Sequence, residues 1–290
     1  MIKAENINYV YSPGMPSEHQ AIYDVSLEIE DGTINAIIGH TGSGKSTLVQ
    51  HFNALIKPTS GRILIDDVDV TSLSTDILKI RQKVGLVFQY PEHQLFEETV
   101  EKDIAFGPKN LGLNEEEIKQ RVKMAAKMTG LNESHLLKSP FELSGGEKRR
   151  AAIAGVIAMA PRVLILDEPT AGLDPKGRDE ILELIKKLHR ENPQMIIIFV
   201  SHSMEDVAKT ADKVFVMNKG RLWMSGSVSE IFSRGDELKE IGLNVPQITE
   251  VCNRLRAFGY DIPEEIYTVT YAAQVIEELI KNNQNGERNV

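Results

Sequence analysis

Short apolar runs that end in turn residues alternate with stretches of helical spacing along most of this chain. Ile34–Ile38, Val84–Phe88, Val163–Leu166 and Met195–Val200 have the length and content of strands buried on both faces. Helices between such strands imply a mostly parallel, layered α/β core. Val214–Met217, followed by Asn218-Lys219-Gly220, reads as a strand entering a hairpin turn. From about Glu92 to Ala160 the pattern changes, and Glu115–Met128 carries apolar residues at helical spacing. This stretch is expected to be a helical subdomain inserted into the α/β core. Beyond about Glu230 it changes again: Ile248, Val251, Cys252 and Leu255 fall at i, i+3, i+4, i+7, and Ala272, Val275, Ile276 and Leu279 repeat the spacing. Two amphipathic helices of a small C-terminal domain follow, which either pack on the core or serve dimerisation. The division expected is a main domain over 1–230 and a second over 231–290, with the polar tail Lys281–Val290 frayed.

Composition narrows the class. Hydrophobic residues make up 41% of the 290 and charged residues 26%, enough apolar material for a sizeable core in a soluble protein. Cys252 is the only cysteine, which excludes an intramolecular disulfide and fits a reducing cytosol. The net charge of −9 argues against broad nucleic-acid contact but not against a local phosphate site. The N-terminus lacks the features of a secretion signal. The longest apolar run, Ala151 to Leu166, is broken by Pro161-Arg162 and is too short to span a bilayer. A membrane role would therefore come through a partner.

The strongest chemical signal is Gly39-His40-Thr41-Gly42-Ser43-Gly44-Lys45-Ser46-Thr47, which follows a strand-like run and precedes the apolar positions Leu48, Val49 and Phe52 of a helix. Glycines let the backbone wrap around phosphates, and amides at a helix start supply donors and a favourable dipole. Lys45 would reach the β- and γ-phosphates, and the Ser46 hydroxyl would ligate Mg²⁺. Val163–Leu166 ends in Asp167-Glu168, so that two carboxylates stand at the C-terminal edge of the sheet. Asp167 is placed to hold Mg²⁺ and Glu168 to polarise the attacking water.

Leu143-Ser144-Gly145-Gly146-Glu147, with Ser144 twenty-three residues before Asp167, resembles the signature motif of ABC ATPases. The resemblance covers residues 1 to about 230 and brings other elements in the family's order. Gln89 is similar to the Q-loop glutamine, Ala171-Gly172-Leu173-Asp174 to the D-loop, His202 to the switch histidine, and Tyr11 to the aromatic that stacks on adenine, with Tyr9 as its competitor. The resemblance implies a P-loop NTPase (RecA-like) fold with the inserted helical subdomain. It implies ATP and Mg²⁺ as ligands, with Gln89 near the metal and the attacking water and His202 at the γ-phosphate. It also implies a head-to-tail dimer in which Ser144, Gly145 and Gly146 complete the partner's ATP site. Glu147 stands where glutamine is commoner in the family.

Gln89-Tyr90-Pro91-Glu92-His93-Gln94-Leu95-Phe96 resembles the short helix after the Q-loop in energy-coupling factor transporters, importers of vitamins and metal ions. That resemblance implies a second ATPase subunit, often a paralogue, and a transmembrane coupling subunit whose arginines meet Glu92. It further implies a separate substrate-binding membrane protein, and a place on the cytoplasmic face of the cell membrane. The alternative of Glu92 as a solvated helix-start acid stays open. Soluble ABC ATPases of translation or DNA repair are the rival reading. Against it stand the single cassette, the acidic balance and the 105 residues between Gly39 and Ser144, room for a helical subdomain but not a long coiled coil. Intact Lys45, Glu168 and His202 speak against a non-hydrolysing cassette.

Overall fold

The computed structural model describes residues 1–72 and 74–287. Two sheets organise it. The first is four-stranded and antiparallel in the order β2-β1-β4-β5, formed by β1 (Ile2–Tyr11), β2 (His19–Ile29), β4 (Ser60–Ile65) and β5 (Val68–Asp69). The second is six-stranded in the order β10-β9-β3-β8-β7-β6. Its members are β3 (Ile34–Ile38), β6 (Val84–Val87), β7 (Val163–Asp167), β8 (Ile196–Val200), β9 (Lys213–Asn218) and β10 (Arg221–Ser227). All its pairings are parallel except the β9–β10 hairpin, which closes at Lys219 and Gly220, both with positive φ. Every residue of β3, β7 and β8 is buried, as continuous apolar runs require of strands covered on both faces.

The parallel register decides where chemistry can occur. Ile37 of β3 and Asp167 of β7 both lie beside Val200 of β8, so the three strands end at one edge of the sheet. The loops that leave that edge carry the phosphate loop, Glu168 and His202, and ligands in open α/β sheets bind outside strand carboxyl ends.

Helix α1 (Lys45–Phe52) leaves β3 and buries Leu48, Val49 and Phe52 in a core shared with the antiparallel sheet. After α2 (Ile77–Lys83) and β6 comes a 3-10 turn, Pro91–Gln94, and then a helical stretch that precedes β7. It consists of α3 (Val100–Asn110), α4 (Glu115–Thr129), α5 (Glu133–Leu136) and α6 (Gly145–Ile157). Asn114 and Glu117 cap each other at the start of α4, and Gly130 ends it in the left-handed conformation. Apolar residues of α3, α4 and α6 join the core on the other face of the large sheet, together with α7 (Pro175–Glu191) and α8 (Met204–Thr210).

That core continues past Glu230. Ile231 and Phe232 of α9 (Val228–Phe232), Leu238 of α10 (Gly235–Glu240), Leu243 and Val245 all belong to it. Only α11 (Gln247–Ala257) and α12 (Val269–Glu287) close over a small core of their own, Cys252, Ile262, Ile266 and Ala272. Both helices expected at the C-terminus are present. Helix α12 runs to Glu287, into the tail expected to fray, and residues 288–290 lie outside the described residues. Among the described residues no helix is long and apolar enough to cross a membrane.

Candidate active site

Backbone constraints shape the phosphate loop first. Gly39 has φ 150° and Gly44 φ 96°; a Cβ on the former would strike the Met217 carbonyl oxygen, and one on the latter would sit 2.8 Å from the Ala21 carbonyl oxygen. Only glycine fits either position. The loop is pinned by Gly220 N donating to Ser43 O at 3.1 Å. Lys45, 5% exposed, donates to the carbonyl oxygens of Gly39 (2.9 Å) and His40 (2.8 Å). Burial holds its ammonium below the usual lysine range, against the raising pull of Glu168 and Asp167. A buried cation folded onto its own loop gains most from an arriving anion, and ATP phosphates supply one.

Across from it Asp167, the last residue of β7, is buried with Oδ1 lacking a hydrogen-bond partner. Desolvation raises its carboxyl above the ordinary range and the nearby Glu168 charge adds to the rise, while Ser46, Lys45 and His202 oppose it. Glu168 follows with φ 50°, unusual for a residue with a Cβ and costing of order 1–3 kcal/mol, so its surroundings must hold it. Both its oxygens are engaged. Gln89 Nε2 donates to Oε2 at 2.9 Å, and His202 Nε2 lies 2.8 Å from Oε1. The fold therefore brings Gln89, Glu168 and His202 from three loops into one cluster, beside Lys45 and Asp167. Gln89 sits in a bend two residues past β6, because that strand stops at Val87 rather than at Phe88.

Tyr11 ends β1 and is 37% exposed, its hydroxyl 3.1 Å from Thr47 Oγ1. Tyr9 meets it edge-on at 4.7 Å and packs against the core, where burial pushes its phenol pKa up. Of the two competing aromatics, Tyr11 is the more exposed. His40 faces away from the cluster, with Nε2 2.5 Å from the Ile241 carbonyl oxygen just past α10.

Ser144, Gly145 and Gly146 start α6. Ser144 Oγ accepts from Glu147 N at 3.3 Å, and Glu147 Oε2 accepts from Ser144 N at 2.7 Å, a reciprocal capping box. Those bonds to Ser144, together with His135, bring the Glu147 carboxyl down to about 2. The unusual acid thus acts as a helix cap. Among the described residues no hydrogen bond joins Ser144–Gly146 to the phosphate loop.

Glu92 is paired within the chain and only partly exposed. Both its oxygens accept from the guanidinium of Arg149, at 3.2 Å from Nη2. Arg149 does not stand out in sequence, inside the basic run Lys148-Arg149-Arg150. The available signal was its i, i+4, i+8 spacing with Ile153 and Ile157 on the buried face of α6.

A P-loop beside paired carboxylates, with a second glycine motif capping a distant helix, defines an ATPase of the ATP-binding cassette class. The family model of ABC transporters matches residues 22–171. Energy-coupling factor transporter ATP-binding proteins EcfA2 of Clostridium acetobutylicum and Clostridium perfringens are 59% and 57% identical, over 97% of this chain and 98% and 99% of theirs. CbiO1 of Clostridium perfringens, described as part of the ABC transporter complex CbiONQ, superposes with a TM-score of 0.74 at 42% identity, over 87% of this chain and 98% of that one. The dimeric cassette MJ0796, in a post-hydrolysis state with ADP and Pi, does so with a TM-score of 0.70 at 30% identity, over 79% of this chain and 99% of that one. The chain belongs to the energy-coupling factor family of ABC transporter ATP-binding proteins. It is an ATPase subunit that energises a membrane transporter, and the translation and repair ATPases are not favoured.

Proposed function

We propose that this chain hydrolyses Mg-ATP in a head-to-tail pair with a second ABC ATPase, a paralogue of it, and that closure of the pair drives the transporter. The observation that carries this reading is the signature turn. Gly145 and Gly146 have nothing within 4 Å of where a Cβ would stand, so the chain's own packing gives no reason for glycine there. A phosphate approaching from outside gives one.

Each residue then has a role. Amides of Gly39 to Thr47 cradle the phosphates, Lys45 leaves its two carbonyls for the β- and γ-phosphates, and Tyr11 stacks on adenine. The orphaned Oδ1 of Asp167 and the Ser46 hydroxyl fit a hard divalent cation, with Gln89 as a further oxygen donor. Bound there, Mg²⁺ would neutralise charge on the phosphate oxygens. Glu168 takes a proton from the attacking water, oriented by Gln89 and His202, and His202 also steadies the γ-phosphate. Ser144, Gly145 and Gly146 serve the partner's ATP.

Residues 1–230 act as the ATPase domain, with 92–160 as its helical arm, and 231–290 as a C-terminal extension whose first part, to Val245, packs into the main core. The absence of a membrane-spanning helix among the described residues suits a peripheral position on the cytoplasmic face. A groove of about 440 Å³ between α2, β6 and α3 is lined by Leu55, Leu78, Phe88, Leu95, Phe96 and Phe106. Phe96 is 62% exposed. We assign this groove to a cytoplasmic segment of the transmembrane coupling subunit, with cargo recognised by a separate membrane protein. Because Cys252 is buried, a Phe96→Cys chain presents one accessible thiol. Cross-linking from that thiol in native membranes is expected to capture a polytopic membrane protein; adducts to soluble proteins alone would overturn the assignment.

A further inference from the structure

Arg149 is 1% exposed and heads the largest fully buried side chains. Its guanidinium joins three elements. Nη2 donates to both oxygens of Glu92 at 3.2 Å, while Nη1 donates to the carbonyl oxygens of Pro169 (2.9 Å) and Ala171 (2.8 Å). Pro169 and Ala171 belong to the loop that begins at Glu168, and Ala171 N donates back to Glu168 O at 3.1 Å. One side chain of the signature helix thus grips the loop that carries the catalytic carboxylate and ties it to the short helix after Gln89. A planar fork of donors can do this; a lysine ammonium cannot reach both partners with the same geometry.

We propose that Arg149 is a positioning residue for hydrolysis. It holds Glu168 in its left-handed conformation and makes that conformation depend on Glu92. Glu92 stands on the 3-10 turn whose next residues, Leu95 and Phe96, line the apolar groove. An occupant of the groove that shifts the turn therefore shifts Glu92, Arg149 and the Glu168 loop together. Losing Glu92 leaves the buried guanidinium of Arg149 without its counter-charge, so the two sites are expected to move together.

This inference rests on Glu168 as the catalytic carboxylate, and Glu168→Gln serves as the control for that. In the assembled complex, Arg149→Lys is expected to lower kcat ten- to about a hundredfold, the effect of a small misplacement of a catalytic group. KM for ATP should stay within about twofold, because no contact to the phosphate loop is lost. Glu92→Gln leaves the guanidinium its two carbonyls and should lower kcat by a smaller factor, which supplies the reading if Arg149→Lys fails to fold. The double variant should be no slower than Arg149→Lys alone. Unchanged kcat in a folded Arg149→Lys chain, or factors that multiply in the double variant, would overturn the proposal. Retained turnover in Glu168→Gln would instead overturn the site assignment on which it stands.

Discussion

Replacing Glu168 by glutamine exchanges one carboxylate oxygen for an amide and changes little else in shape. In the parent, Oε2 faces the Gln89 amide at 2.9 Å and Oε1 faces His202 Nε2 at 2.8 Å, both as acceptor. The new amide can keep its oxygen toward Gln89 and turn its NH₂ toward His202, whose other tautomer accepts there. The cluster can therefore be preserved, and the fold should survive. The base is gone, however, and a positioned general base contributes about 10²–10⁴ in rate, or about 3–5 kcal/mol. ATP binding should be unchanged or tighter, since no hydrogen bond joins Glu168 to the phosphate loop and a negative charge beside Lys45 is removed. Phosphate release under multiple turnover, paired with equilibrium ATP binding, separates the two effects. Turnover within about tenfold of the parent, or loss of ATP binding along with turnover, would contradict the role of Glu168 as the base.

Tyr11→Ala should weaken ATP binding about tenfold, the worth of one base–aromatic stack, whereas Tyr9→Phe should not, as read by equilibrium nucleotide titration. His51 is buried, its Nδ1 donates to Thr47 O at 2.6 Å, and burial lowers its pKa to about 4. Because the folded value lies below the unfolded 6.5, stability is intact above the unfolded pKa and is lost as pH falls toward the folded one. Between about pH 7.5 and 5 this group should cost about 2 kcal/mol in urea unfolding, and His51→Phe should remove that part of the pH dependence.

What could be read from sequence was what neighbours in sequence determine. The phosphate loop, the carboxylates at the end of β7 and the capped start of α6 each lie where one element gives way to the next, and their chemistry lies in consecutive residues. The continuous apolar runs of β3, β7 and β8 were equally plain, because strands covered on both faces leave no polar gaps. In the antiparallel sheet Val25–Ile29 of β2 does alternate buried and exposed positions, but β1 carries register shifts and an irregular burial pattern, which blur a period of two. Residues 231–245 read as part of a separate domain, yet Ile231, Phe232, Leu238 and Val245 lie in the main core. Arg149 was the least legible. Its partners are fifty-seven, twenty and twenty-two residues away, and a basic run gives no sign of which arginine turns inward.

This ATPase subunit energises an energy-coupling factor transporter. The most direct measurement of this role is mild-detergent purification of the tagged chain from its native membranes, with mass spectrometry of the proteins that stay bound. A second ABC ATPase, a polytopic coupling subunit and small membrane proteins that bind cargo are expected to copurify. Recovery of ribosomes or DNA-repair proteins, with no membrane subunit, would contradict that role.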